Sequence, residues 1–248
     1  VSGSGVTGYL YAAMYYDDRG RVIQTRGKNA GGGYDYEYTS YDFTGHVLCR
    51  CHQLTVYGQP MQTDKYTYTY DHAGRLLTVK HRLNGGSEVT LSSNTYDALG
   101  RLSSCTQGGT LTTAYTYNVR SWTTAITADT LFTEHLYYNE SHGGNTPDYR
   151  GNISAMEWKA GGGATRAYNF AYDYHSRLRE AEYKENGTAN GHYSTYYDYD
   201  RMGNITSLTR IGLTDGAAYS IIDNLDCTYE GNRLTKVEDS AAGADQPT

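Results

Sequence analysis

The sequence predicts an all-β chain: repeated antiparallel β-hairpins that form a continuous, curled or spiralling sheet strip. Three observations predict it. A motif opening with Tyr-Asp recurs at intervals of roughly 20 to 30 residues, the self-similarity expected of stacked supersecondary units. Glycine-rich tips alternate with the motif, and the runs between the two carry aromatics at every second position, the period of a strand.

The clearest copy is Tyr70-Asp71-His72-Ala73-Gly74-Arg75-Leu76. Tyr16-Asp17…Gly20, Tyr41-Asp42…Gly45 and Tyr96-Asp97…Gly100 repeat it in the first half, and Tyr172-Asp173…Ser176 and Tyr199-Asp200…Gly203 in the second. Worn copies start at Tyr117, Tyr149 and Tyr229. Asp suits the first position of a type I turn, where its carboxylate bonds a backbone N–H two residues on, and Gly suits the fourth. Positive φ at the Gly makes this a three-residue hairpin connection with a one-residue bulge. An apolar residue two places after the Gly, such as Val22, Val47, Leu76 or Ile205, anchors the outgoing strand, as Leu178 does after Ser176. A second apolar residue often follows three places later, as in Leu76 and Val79, an offset that calls for a bulge or strong twist.

Taken in order, residues 1–8 hold Gly3-Ser4-Gly5-Val6-Thr7-Gly8, which matches the dinucleotide fingerprint only formally: no strand precedes it and no helix follows, so it reads as a linker. An array of about eight hairpin repeats, some 16 strands, is expected over 9–238, irregular at 123–148, with 239–248 as a tail. Tips such as Asn29-Ala30-Gly31-Gly32-Gly33 and Asn84-Gly85-Gly86 close the hairpins opposite the motif, and Glu140 to Asp148 reads as a longer loop. Ser121 and Ser176 stand where the motif has Gly, so those corners are expected to be weaker or differently shaped.

Leu, Ile, Val and Phe number only 36 of 248 residues, whereas Tyr alone supplies 28. With a formal charge of just −6 the chain is read as folded, with Tyr standing in for aliphatic core. The scattered bases leave no nucleic-acid footprint, and no apolar run is long enough to span a membrane as a helix. Val1 and the position of the last copy suggest an excised fragment of a longer polypeptide. Cys49, Cys51, Cys105 and Cys227 are too sparse for a disulfide framework, and their redox state stays open.

Candidate chemistry is thin. His46, Cys49, Cys51 and His52 are dense enough to suggest zinc, but along one strand the cysteines and histidines have opposite parity, so no metal is expected. Asp198 and Asp200 lack the remaining ligands of a calcium loop. Glu134, His135, Glu140 and His142 surround the irregular loop and are the one place for a catalytic pair; a solvated edge is the preferred reading, and no catalytic residue or cofactor is assigned. The Tyr ladders Tyr34/Tyr36/Tyr38 and Tyr66/Tyr68 could stack on glycans, but are expected to form the packed inner surface of the sheet.

The Tyr-Asp-x-x-Gly-Arg-Leu copies, their spacing and the intervening Tyr-x-Tyr strands together resemble the RHS/YD-repeat family over roughly residues 9–238. The resemblance implies a β-strip spiralling into a hollow shell, as in bacterial RHS toxins, toxin-complex cocoons and teneurin ectodomains, that encloses or presents a toxin or other cargo. It implies a secreted or cell-surface protein whose partners are the rest of its parent polypeptide, an enclosed toxin segment and possible glycans. Open sheet edges would also favour self-association. The family's self-cleaving Asp-Pro core has no match here, since the only prolines are Pro60, Pro147 and Pro247. The expected role is therefore a non-enzymatic structural segment, with a carbohydrate-binding module as the alternative.

Overall fold

The computed structural model describes residues 10–214 and 218–241. The expected linker at 1–8 and most of the tail at 239–248 lie outside the described residues. Among those described there are nineteen strands and no helix. The chain divides into two units, Val1–Thr113 and Ala114–Thr248.

The first unit holds β1 (Ala12–Tyr16), β2 (Val22–Lys28), β3 (Tyr34–Tyr41), β4 (Val47–Leu54), β5 (Gln62–Tyr70), β6 (Leu76–Leu83), β7 (Val89–Tyr96) and β8 (Leu102–Gln107); β9 (Leu111–Tyr117) spans the boundary. From β1 to β8 each strand pairs antiparallel with the next. The second unit holds β10 (Thr123–Ala128), β11 (Phe132–Tyr137), β12 (Ala155–Ala160), β13 (Arg166–Tyr172), β14 (Leu178–Glu185), the two-residue β15 (Thr188–Ala189), β16 (Thr195–Tyr199), β17 (Ile205–Thr214), β18 (Ala218–Glu230) and β19 (Arg233–Asp239). It is again a meander, except that β14 pairs both β15 and β16.

Three expectations are corrected. The count is nineteen strands rather than 16, because every worn copy also reverses the chain and β15 is added. Residues 123–137 form a regular hairpin, so the irregular stretch starts only at Tyr138 and runs to Ser154. The Tyr-rich faces are not a packed core. Each unit is a single layer in which strands touch only their ladder neighbours, and the buried hydrophobic residues among those described are Tyr138, Ala155, Ala181 and Tyr183. A single layer half-covers each ring with its neighbours and leaves the other side to solvent, so the stabilising units are cross-strand pairs.

The bulges fall where the three-residue offset requires them. Tyr15 pairs Gln24 while Tyr16 pairs Val22, leaving Ile23 as the extra residue; the same slip recurs at Tyr41, Tyr70, Tyr96, Tyr172, Tyr199 and Tyr229. One extra residue reverses the parity of the strand beyond it, which puts the anchor and the apolar residue three places on upon the same face.

The Ser corners keep the standard shape instead of a different one. Ser176 sits at φ +61°, Ser176 N donates to Asp173 O at 3.1 Å, and Asp173 N donates to Arg177 O at 2.9 Å, the bonds Gly74 and Asp71 make at their corner. A Cβ in the left-handed region costs about 1–2 kcal/mol, partly offset by the lower entropy of an unfolded Ser. Ser176→Gly is therefore expected to raise the unfolding free energy by about 0.5–1 kcal/mol, read as a higher denaturant midpoint with an unchanged slope.

Candidate functional site

The motif residues converge on one construction, repeated at corner after corner. At Asp71, Oδ1 accepts from the N–H groups of Ala73 and Arg75, both at 2.9 Å, and Oδ2 accepts from Arg75 Nε at 2.6 Å. Asp17, Asp97 and Asp173 do the same with Arg21, Arg101 and Arg177. Asp200 holds Asn204, and Asp42 holds His46 through Nδ1 at 2.9 Å. Asn118 fills the same place with its amide oxygen. Gly20, Gly45, Gly74, Gly100 and Gly203 all have φ between 75° and 103°. At Gly74 a Cβ would also lie 2.7 Å from His46 Nε2, so the imidazole stacked on Tyr70 would have to shift. The corner at Tyr229 differs: Gly231 and Asn232 close a tight two-residue hairpin.

Each corner is tied to the one before it through the Tyr hydroxyl. Tyr41 donates to Val22 O at 3.0 Å, Tyr70 to Val47 O at 3.0 Å and Tyr96 to Leu76 O at 2.9 Å. In the second unit Tyr172 donates to Ile153 O, Tyr199 to Leu178 O and Tyr229 to Ile205 O, at 2.7–2.9 Å. Tyr16, on the first described strand, instead reaches Met14 Sδ. Each corner also reaches forward. The Arg21, Arg75 and Arg177 guanidinium groups lie 4.6–4.7 Å from the ring centroids of Tyr41, Tyr96 and Tyr199, and the His46 ring stacks on Tyr70 at 4.8 Å. Arg21 and Arg177 donate further to Asp42 O and Asp200 O. Asp, Gly and anchor were legible as a turn, but this corner-to-corner clamp was not. Its signal was the preference for Tyr over Phe at the motif's first position, which is a requirement for a hydroxyl.

One corner is assembled differently from the sequence reading. Tyr149 is not a corner Tyr: Asp148 is the corner Asp, its carboxylate held by Arg150 N, Nε and Nη2 and by Asn152 Nδ2. The Tyr that serves this corner is Tyr138, which donates to Thr123 O at 2.9 Å. Residues 139–147 are thus inserted between the Tyr and the Asp of one motif, and Asp148 N closes on Tyr138 O at 2.8 Å. The insert folds back on the sheet. Asn145, 8% exposed, bridges Glu140 O and Ser154 Oγ; Gly143 O accepts from Asn169 Nδ2 and Lys184 Nζ; and His142 stacks on Tyr137 and approaches Glu157 at 3.3 Å. Of the residues that could have formed a catalytic pair here, Glu140 accepts from Tyr138 N, and Glu134 and His135 are neighbouring residues of β11 whose side chains point to opposite faces.

The other candidates are dispersed. Cys49 and Cys51 share a face as free thiols, while His52 faces Asp35 at 3.4 Å on the other; among the described residues no three His, Cys, Asp or Glu groups gather as metal ligands. Asp198 pairs with Arg179. Tyr34, Tyr36 and Tyr38 line one face of the first unit, with Tyr36 and Tyr38 stacked at 6.4 Å, but Tyr66 and Tyr68 lie on the opposite face, where Tyr66 packs on His81.

Hydrogen bonds from Arg21, Arg75 and Arg101 hold the Asp17, Asp71 and Asp97 carboxyls below the usual carboxylate range, and bonds to Thr44 and Asn204 do so at Asp42 and Asp200. Burial pushes the Tyr70, Tyr138, Tyr172 and Tyr199 phenols up. A lowered folded-state carboxylate pKa gives stability present above the unfolded value of about 3.9 and lost as pH falls through the folded one; a raised phenol pKa gives stability present below about 10 and lost as pH rises. Thermal melting across pH is expected to show a plateau from about pH 5 to 9 that falls on both sides.

No family model and no curated protein matches the sequence. The chain is similar to several solved structures. A TcdB2-TccC3-TEV crystal structure gives 13% identity over 92% of this chain and a TM-score of 0.40, and a mutant Tc holotoxin pore of Photorhabdus luminescens gives 13%, 92% and 0.43. The chain spans 15% of the length of either of those chains. A porin-like protein of Bacteroides uniformis gives 13% identity over 86% of this chain and 95% of its own, with a TM-score of 0.31. Likenesses at these scores carry no argument about function.

Proposed function

We propose that this chain is a structural repeat segment of an RHS-type protein, part of a β-sheet shell wall that encloses or presents a toxin or other cargo in a secreted or surface-delivered polypeptide. The observation that carries the reading is the corner clamp. The motif Tyr, Asp and Arg side chains bond the turn or a neighbouring corner, an arrangement that supports a wall-building role. Cryo-electron microscopy of the parent polypeptide tests it: the segment should form part of a wall with another stretch of the parent inside. A parent in which both faces of this segment meet bulk solvent would contradict the reading.

A second reading is a carbohydrate-binding module, favoured by the stacked Tyr36 and Tyr38 rings, of which Tyr38 is 38% exposed. Tyr presents apolar ring area with a hydroxyl to match sugar hydroxyls. Saturable binding on a glycan panel supports it, and a negative panel removes it.

A further inference from the structure

The strand register sets the two cysteines of β4 side by side. Cross-strand partners share a face. Cys49 pairs Ser40 on β3 and Thr67 on β5, and Cys51 pairs Tyr38 and Lys65. Both thiols are free and half-buried, and no bulge separates them, so they project from one face of the strand. A disulfide does not fit there. Two rises of about 3.3 Å set their Cβ atoms about 6.6 Å apart, whereas a disulfide needs about 3.5–4.5 Å. A metal ion held in line between two thiolates spans about 4.6 Å, twice a metal–sulfur bond of about 2.3 Å, which the sulfurs reach by turning toward each other. The histidines nearby in sequence are committed elsewhere: His46 Nδ1 lies 2.9 Å from Asp42 Oδ2 with its ring stacked on Tyr70, and His52 meets Asp35 on the opposite face.

We infer that Cys49 and Cys51 form a two-coordinate site for copper(I). Thiolate sulfur is the soft ligand this ion prefers, and among the described residues no third His, Cys, Asp or Glu joins the pair to complete a tetrahedral zinc site. The Ser40 and Thr67 hydroxyls beside Cys49 are hard, neutral oxygens that do not compete for a soft ion. On binding, each thiol releases its proton to solvent as its sulfur bonds the metal, and copper stays in the +1 state throughout. Two thiolates around one copper(I) carry a single net negative charge. Lys65, beside Cys51 on the same face, is exposed and forms no ion pair among the described residues, so its ammonium is free to balance that charge.

The test is anaerobic titration of the full chain with copper(I) against bicinchoninate, a chelator coloured by copper(I), with zinc(II) titrated in parallel and native mass spectrometry giving the stoichiometry. The chain should withdraw one copper(I) from the chelator, and X-ray absorption should show the metal with two sulfur neighbours. Cys49→Ser and Cys51→Ser should each lose about a hundredfold or more in affinity, since losing the mere support of a ligand already costs about 10–100-fold. Cys105→Ser and Cys227→Ser should bind as the parent does. Lys65→Met should weaken binding about threefold, the worth of an exposed charge pair, and Arg50→Met, on the opposite face, should leave it unchanged. Unchanged thermal melting confirms that each variant folds. Copper(I) retained in full by Cys49→Ser or Cys51→Ser would overturn the inference, as would zinc(II) bound as tightly as copper(I), or copper(I) found only in a bridged dimer. Lys65→Met binding as tightly as Arg50→Met would overturn the charge balance assigned to Lys65.

Discussion

Asp148→Ala is expected to lower the unfolding free energy of the second unit by about 3 kcal/mol, among the largest effects of any single surface-loop change in this chain. The carboxylate is 7% exposed and accepts from Arg150 N at 2.7 Å, Arg150 Nη2 at 2.6 Å, Arg150 Nε at 3.1 Å and Asn152 Nδ2 at 3.2 Å. Removing it leaves the Arg150 guanidinium without its counter-charge and the N–H of Arg150 without its acceptor, and Arg150 also carries the link to the next corner through Asp173 O at 2.8 Å. The residue after the insert is thus the pin on which the 139–147 excursion closes. Asp148→Asn should recover part of the loss, because Asn118 shows that an amide oxygen can cap the same turn. Denaturant unfolding measures both, and hydrogen exchange should show the alanine variant losing protection first at 138–154.

Gly33→Ala should destabilise the first unit by a comparable amount, about 3 kcal/mol, for a steric reason. An added Cβ would sit 1.9 Å from Thr55 O and 2.5 Å from Thr55 C, both backbone atoms that no rotamer change can move. Backing away breaks the connection between the β2–β3 tip and the end of β4: Asn29 Nδ2 to Thr55 O at 2.8 Å, Thr55 N to Tyr34 O at 2.9 Å and Tyr34 N to Thr55 Oγ1 at 2.8 Å. Gly32→Ala is the contrasting variant. Its φ of +75° strains an alanine, but no backbone atom lies within reach of the new Cβ, so a loss of only about 1 kcal/mol is expected.

What the sequence disclosed follows from the range of the interactions concerned. The Asp71-x-x-Gly74 turn is local, four residues long, and its bonds close within the motif, so composition alone identified it and the hairpin architecture with it. The bulge after each anchor was legible for the same reason, as a parity conflict between Leu76 and Val79. Interactions between corners join residues far apart in the chain, and the Tyr at the motif's first position names the donor but not its acceptor; Tyr70 OH reaching Val47 O is visible only when two hairpins lie side by side. The split motif was misread because Pro147 occupies the place before Asp148, so nearby Tyr149 took its role, while the Tyr that works there, Tyr138, is ten residues upstream. The packed-core expectation failed because burial depends on layers, and alternation in Tyr34, Tyr36 and Tyr38 says which side a ring faces and not whether anything covers it. Register likewise brought Lys65 beside Cys51 from a position that looked unpatterned.

The central claim is that the motif Tyr is present for its hydroxyl. The direct measurement is denaturant unfolding of Tyr172→Phe and Tyr199→Phe beside Tyr174→Phe, whose side chain is 93% exposed on the same corner. Each corner variant should lose about 1 to 1.5 kcal/mol, from a lost hydrogen bond and the unpaired Ile153 or Leu178 carbonyl, and Tyr174→Phe should stay within about 0.3 kcal/mol of the parent. Corner variants as stable as Tyr174→Phe would mean that the rings alone hold the corners together, and would contradict the clamp on which this account rests.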